Sequence, residues 1–198
     1  MTRARRMHYT RGRERRDQLI TAAIEIIAAR GLERVTFRAV AERAGFPPST
    51  TSYFFSSVDE VIDAAITQIA ETVTDKVTAL LEAAQTSAMT RDELAARLID
   101  LVSGQDNDDS VAQFEAYLAV RRRPELAEPV HRIMHNIEAA TEEALRVFGV
   151  TDPRTPARQF VALIDGFTLQ EIARPGGPET RSALGDLMTR VLDSYLEK

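Results

Sequence analysis

The sequence predicts an all-α chain: a small three-helix N-terminal domain followed by a larger C-terminal helical domain, about nine helices in all. Three observations carry that expectation. Apolar residues recur every three to four positions through most of the 198 residues. No stretch shows the period-2 alternation of a half-buried strand. Gly and Pro cluster at points that divide the chain into segments of helical length.

Residues 1–12 read as a flexible basic arm. A first helix is expected over residues 13–30, where Leu19, Ile20, Ala23, Ile24 and Ile27 share a face, and Gly31 follows where a helix end favours positive φ. Thr36 is a good N-cap for a second helix over residues 37–44, stopped by Gly45. Pro47-Pro48 opens a third over residues 48–54, because a proline in the first turn forfeits no intrahelical bond. Ser57 caps a long fourth helix over residues 58–84, whose stripe includes Ile62, Ile66, Ile69, Val77 and Leu81. A fifth covers residues 91–102. The acidic run Gly104-Gln105-Asp106-Asn107-Asp108-Asp109 breaks the chain, and Ser110 begins a sixth that reaches residue 123. A seventh spans residues 129–148 and stops at Gly149. Thr155-Pro156 opens an eighth that ends before Pro175-Gly176-Gly177-Pro178, and a ninth fills residues 179–196. The expected division is an arm at 1–12, a helix-turn-helix domain at 13–60 and a second domain at 61–198.

Composition narrows the function. Apolar residues at 44% and charged residues at 28% are ordinary for a water-soluble globular chain. No apolar run approaches the roughly 20 residues of a membrane span, and the basic start lacks the apolar core of a secretory signal. The absence of cysteine removes disulfides, thiolate metal sites and cysteine nucleophiles, and fits a cytoplasmic protein with no membrane partner. No nucleophile–base constellation, glycine-rich phosphate loop or paired metal motif marks an enzyme. His131 and His135 stand at i, i+4 on one helix face. That spacing can hold zinc if Glu128 or Glu138 supplies a third ligand, but no flanking motif supports it, so neither metal nor cofactor is expected.

Charge is unevenly spread. Residues 1–60 hold 11 Arg against 7 Asp and Glu, a balance of +4, whereas residues 61–198 hold 14 Lys and Arg against 23 Asp and Glu, a balance of -9. A basic front on an acidic body predicts that only the front meets a polyanion. The front also carries two short helices joined by a tight turn, over residues 36–54. Ala41 is small where helices must approach, Gly45 makes the turn, and Val40 and Phe46 supply apolar anchors. The third helix, Ser49-Thr50-Thr51-Ser52-Tyr53, offers short hydroxyls and a phenol, groups that bond phosphates or base edges.

The run from Arg16 through Leu19-Ile20-Thr21-Ala22-Ala23, Ile26-Ile27, Gly31, Thr36 and Val40-Ala41-Glu42-Arg43-Ala44-Gly45-Phe46 resembles the DNA-binding domain of the tetracycline-repressor (TetR) family. So does Tyr53-Phe54-Phe55-Ser56-Ser57-Val58-Asp59-Glu60-Val61. The likeness is ungapped over residues 13–62. It implies a recognition helix at 48–54 that lies in the major groove, with Thr36 and Arg38 on phosphates and Pro48, Ser49, Thr50, Thr51, Ser52 and Tyr53 at the DNA surface. The basic arm is expected to add backbone or minor-groove contacts. The chain departs from the family habit at Pro47 and Ser49, often Ser and Gly. It departs again at Ser52, often a phosphate-binding Tyr, and at Val58, often Lys.

For residues 61–198 the resemblance is architectural. It implies a ligand-binding and dimerisation domain whose last two helices pair with their copies. Interface residues are then expected at Phe160, Leu163, Phe167, Leu184, Leu187, Met188, Val191 and Tyr195, and an effector pocket is expected to use Phe114, Tyr117, Met134, His135, Phe167 and Gln170. The implied partners are double-stranded DNA with a palindromic operator, an unidentified small-molecule effector and a second copy of the chain. A helical dimeric interaction module without specific DNA binding is the alternative that the departures allow.

Overall fold

The computed structural model describes residues 3–86, 90–103, 107–174 and 178–196; side chains at 3–11, 73, 84, 85, 91, 92, 102, 103, 107, 178 and 181 are outside that description. Among the described residues the chain is helical with no strand: α1 (Arg3–Arg30), α2 (Phe37–Arg43), α3 (Ser49–Phe54), α4 (Val58–Thr86), α5 (Arg91–Ser103), α6 (Asn107–Ala119), α7 (Ala127–Val147), α8 (Arg154–Ala173) and α9 (Pro178–Leu196). Short 3-10 turns cover Leu32–Arg34 and Pro124–Leu126. None of these helices is long and apolar enough to cross a membrane.

Local chemistry sets most boundaries. The Thr36 hydroxyl accepts the Ala39 amide at 3.1 Å and so starts α2. That helix ends in a paired closure: the Phe46 amide reaches the Ala41 carbonyl at 2.8 Å and the Gly45 amide the Glu42 carbonyl at 3.2 Å. This closure needs positive φ at the residue between, and Gly45 supplies φ 73°. Gly149, at φ 96°, closes α7 in the same way. Ser57 caps α4 by accepting the Glu60 amide. Thr90 and Glu93 cap α5 reciprocally, each accepting the other's amide, at 3.2 and 2.8 Å.

Two expectations are corrected. Helix α1 begins at Arg3, so most of the segment expected to be a flexible arm is helical; its Arg, Ala and Met residues favour helix and no proline interrupts them. The sixth helix runs three to four residues earlier than expected, over Asn107–Ala119. Asp108 and Asp109 sit in its first turn, where carboxylates favour the positive helix end. Pro124 disfavours helical geometry at the residue before it, and the chain leaves the helix before Arg123. The expected breaks at 104–106 and 175–177 lie outside the described residues.

The chain forms two compact units, one drawn from Met1–Ile69 with Asp108–Val130, the other from Ala70–Asn107 with His131–Lys198. This division differs from a cut at residue 60, because α6 belongs with the N-terminal helices. In the first unit, Leu19, Ile20, Ala23 and Ile27 of α1 are buried with Val40 and Ala41 of α2, Phe55, and Val61, Ile62, Ala65 and Ile66 of α4. Arg123, beyond α6, bonds Asp59 in the first turn of α4, and a Cβ at Gly31 would lie 3.6 Å from Glu115. In the second unit, Val77, Leu81, Leu94, Ala144 and Phe148 form one cluster, and Leu145, Val150, Ala157 and Phe160 another. At Gly185 α9 lies against α5: a Cβ there would meet Ile99 Cδ1 at 3.4 Å, an ordinary contact.

Candidate nucleic-acid interface and effector cavity

The six residues of α3 fill less than two helical turns, and each faces a different environment. Thr51 is fully buried and its hydroxyl has no hydrogen-bond partner among the described residues. It therefore belongs to the packing of the helix-turn-helix and leaves the set of DNA-contacting residues. Thr50 is half-buried, while Pro48, Ser49 and Ser52 are exposed. The Ser52 hydroxyl donates to the Ser49 carbonyl at 3.1 Å, which keeps its oxygen available as an acceptor. Tyr53 is 80% exposed and meets Phe54 edge-to-face, with ring centres 5.0 Å apart. An aromatic ring that projects from a short helix anchored by a buried neighbour is presented for contact with something outside the protomer.

At the start of α2, the Thr36 oxygen is occupied by its capping bond, but its own proton remains to donate. Arg38 is exposed and uses Nε on Glu42 at 2.7 Å; that bond and the Glu42 charge raise its pKa further and keep it cationic. Arg43 bonds Glu25 and so ties α2 to α1.

Arg16, the first residue of the family-like run, stands over the Phe55 ring with its guanidinium 5.0 Å from the ring centre. Beside it, Glu60 accepts both the hydroxyl and the amide of Ser56, at 2.6 and 2.7 Å. The Ser56 hydroxyl, then its amide, then the Arg16 charge hold the Glu60 carboxyl below its usual pKa. Arg3, Arg5, Arg6 and Arg11 have side chains outside the described residues.

The second unit holds an apolar cavity, part of it open to solvent. Its walls are Val77 of α4, Ala95, Leu98 and Ile99 of α5, Thr141, Ala144, Leu145 and Phe148 of α7, Phe160 and Ile164 of α8, and Met188, Thr189 and Leu192 of α9. None of the expected pocket residues lines it. Phe114 and Tyr117 belong to α6 in the first unit, where Gln113 donates to the Tyr117 hydroxyl at 2.9 Å. Met134, His135 and Gln170 are exposed and Phe167 is half-buried. Among the described residues no three potential metal ligands come together.

The expected interface set is also split. Phe160 and Leu184 are buried within the protomer, and Phe160 and Met188 line the cavity, so Phe160 and Leu184 cannot supply interface area. Leu163, Phe167, Leu187, Val191 and Tyr195 are half-buried, and Leu169 is 52% exposed. The Tyr195 hydroxyl is bonded to Gln159. Asp165, half-buried on α8, has its carboxyl pushed up to about 6 by burial.

Residues 19–65 match the model of bacterial regulatory proteins of the tetR family, and residues 89–194, more than half of the chain, match the tetracyclin repressor-like C-terminal domain. The nicotine-responsive transcriptional repressor HdnoR of Paenarthrobacter nicotinovorans is 25% identical over 193 residues, covering 93% of this chain and 95% of its own. The multidrug binding protein EbrR, solved in complex with ethidium, is 27% identical with a TM-score of 0.65, covering 89% of this chain and 98% of that one. A transcriptional regulator from Rhodococcus sp. Rha1 shares the fold, at 24% identity and a TM-score of 0.71, over 90% of this chain and 96% of that one.

Proposed function

This chain belongs to the tetracycline-repressor family of ligand-responsive, DNA-binding regulators, and on that premise we propose that it is a homodimeric repressor that leaves a palindromic operator when an effector binds its C-terminal domain. The observation that carries the reading is the outward presentation of Tyr53, with Ser49, Thr50 and Ser52 beside it, on a short helix held by buried Thr51. Thr36 and Arg38 flank it as phosphate donors, and Pro48 sets the entry of α3. The basic helix start, Arg3 to Arg16, stands in for the lysine that the family often has where this chain has Val58.

Two copies related by a two-fold axis would set two α3 helices about 34–36 Å apart, the spacing of successive major grooves. Four half-buried residues of α8 and α9, Leu163, Phe167, Leu187 and Val191, are the proposed contact between copies. An effector that favours a wrongly spaced dimer would release DNA in proportion to its differential affinity for the two states.

A mobility-shift series on the DNA upstream of its own gene tests this. Binding is expected to exceed that of random duplex and to weaken with salt at a log–log slope of roughly -0.9 per phosphate neutralised. Tyr53→Ala is expected to weaken operator binding about tenfold or more while the dimer persists. Equal affinity for random duplex would replace this reading with that of an interaction module that has lost specific DNA binding.

A further inference from the structure

We propose that the cavity of the second unit takes an uncharged, apolar small molecule, held between α5, α7, α8 and α9. The proposal rests on the effector-responsive reading above and narrows it to one chemical class at one place.

The lining carries two polar side chains, Thr141 and Thr189, and neither offers a free donor. Thr141 Oγ1 donates to the Ile137 carbonyl at 2.8 Å, and Thr189 Oγ1 donates to the Gly185 carbonyl at 3.0 Å. Their protons are therefore spent inside their own helices, and only weakly directing oxygen lone pairs face outward. No ionisable side chain is among the described lining residues. A cation placed here would lose hydration without meeting a carboxylate, a cost of several kcal/mol, whereas contact with the Phe148 and Phe160 rings would return only about 0.5–2 kcal/mol. Asp165 does not rescue a cation: it follows Ile164 in α8 but is not on the lining.

The opposite choice is physically favoured. A cavity walled by Leu, Ile, Ala and Phe gives water few partners, and such spaces accept apolar molecules. One similar protein is nicotine-responsive and another is solved with ethidium, a basic amine and a cation; the lining of this cavity holds no charged partner for either. Three walls, Met188, Thr189 and Leu192, belong to α9. A ligand there touches a helix proposed to join the two copies, which gives it a direct route to the spacing of the DNA-binding units.

The test uses the full chain without DNA and the neutral fluorophore N-phenyl-1-naphthylamine, whose emission rises in apolar surroundings. Saturable binding is expected, with no competition from ethidium and negligible ethidium binding by anisotropy. Ala95→Trp, which fills the cavity from α5, is expected to weaken probe binding at least tenfold. Met188→Trp fills the cavity from α9 and carries the same expectation should the Ala95 variant fail to fold by circular dichroism. Undiminished probe binding in a folded filling variant would overturn the proposal, as would ethidium that binds saturably and displaces the probe. Because binding is read without DNA, and operator affinity without probe, failure of the cavity assignment and failure of the repressor reading give different results.

Discussion

Thr51 shows how much one hydroxyl can decide. Its sequence neighbours Thr50 and Ser52 carry the same chemistry, yet only Thr51 is fully buried, with an unpartnered oxygen. Leaving a buried hydroxyl unsatisfied costs about 1–3 kcal/mol. Thr51→Val keeps the branched shape and removes that cost, so it should raise stability by about 1 kcal/mol in urea denaturation and leave operator affinity unchanged. A loss of stability would mean that a hydrogen-bond partner serves the hydroxyl.

Asp165 carries a second single-residue prediction. Its carboxyl is raised from 3.8 to about 6 by burial, so ionisation weakens the fold. Below pH 3.8 it is neutral folded or unfolded and nothing is lost. Between there and about pH 6 the unfolded chain ionises first and stability falls, and above that the loss is complete. Two units correspond to roughly 3 kcal/mol at most, and residual solvent contact reduces this to about 1–2 kcal/mol. Asp165→Asn should therefore stabilise the protein by that amount at pH 7.5 and by roughly a third as much at pH 4.5. A gain independent of pH would remove burial as the cause.

At the scale of elements, the sequence was most legible where a boundary depends on one residue's local chemistry. Thr36, Ser57, Gly45 and Gly149 act in the structure through the capping bonds and positive φ that their residue types favour. Replacing Gly45 with Ala should cost about 1 kcal/mol, because φ 73° is strained for any residue with a Cβ. A Gly45→Ala protein with unchanged thermal stability would show that the turn relaxes.

Legibility failed where position depends on distant partners. A helix of under two turns, such as α3, has too few residues for periodicity to mark its buried face, so Thr51 could not be told from Thr50 by pattern. The cavity is hard to read for a related reason. Aromatic and polar residues of α6, α7 and α8 stand out in the sequence, whereas the walls of the cavity are mostly aliphatic and come from five helices. Ala95, Leu98 and Ala144 look like ordinary core in a sequence. Only packing shows that the space among them is left unfilled.

For the whole molecule, the proposed repressor depends on pairing. A single helix-turn-helix contacts one half-site, and the palindrome reading needs two at fixed spacing. Leu187, half-buried on α9 and absent from the cavity lining, belongs to the proposed contact between copies. Leu187→Glu places a charge in that contact and should yield a monomer by light scattering at micromolar concentration, with retained helicity and much weaker operator binding. A dimer of unchanged mass would locate the contact elsewhere.

The crossing of α5 and α9 also bears on how such a protein diverges. A methyl at position 185 would sit in ordinary contact with Ile99, 3.4 Å away, whereas the bulk of a valine or leucine would press on Ile99, which forms part of the cavity wall. One codon, at a position outside the lining, can thus reshape the chamber. Descendants can acquire new chemical tastes by altering the hinge-pin of two crossing rods, leaving every contacting side chain as inherited.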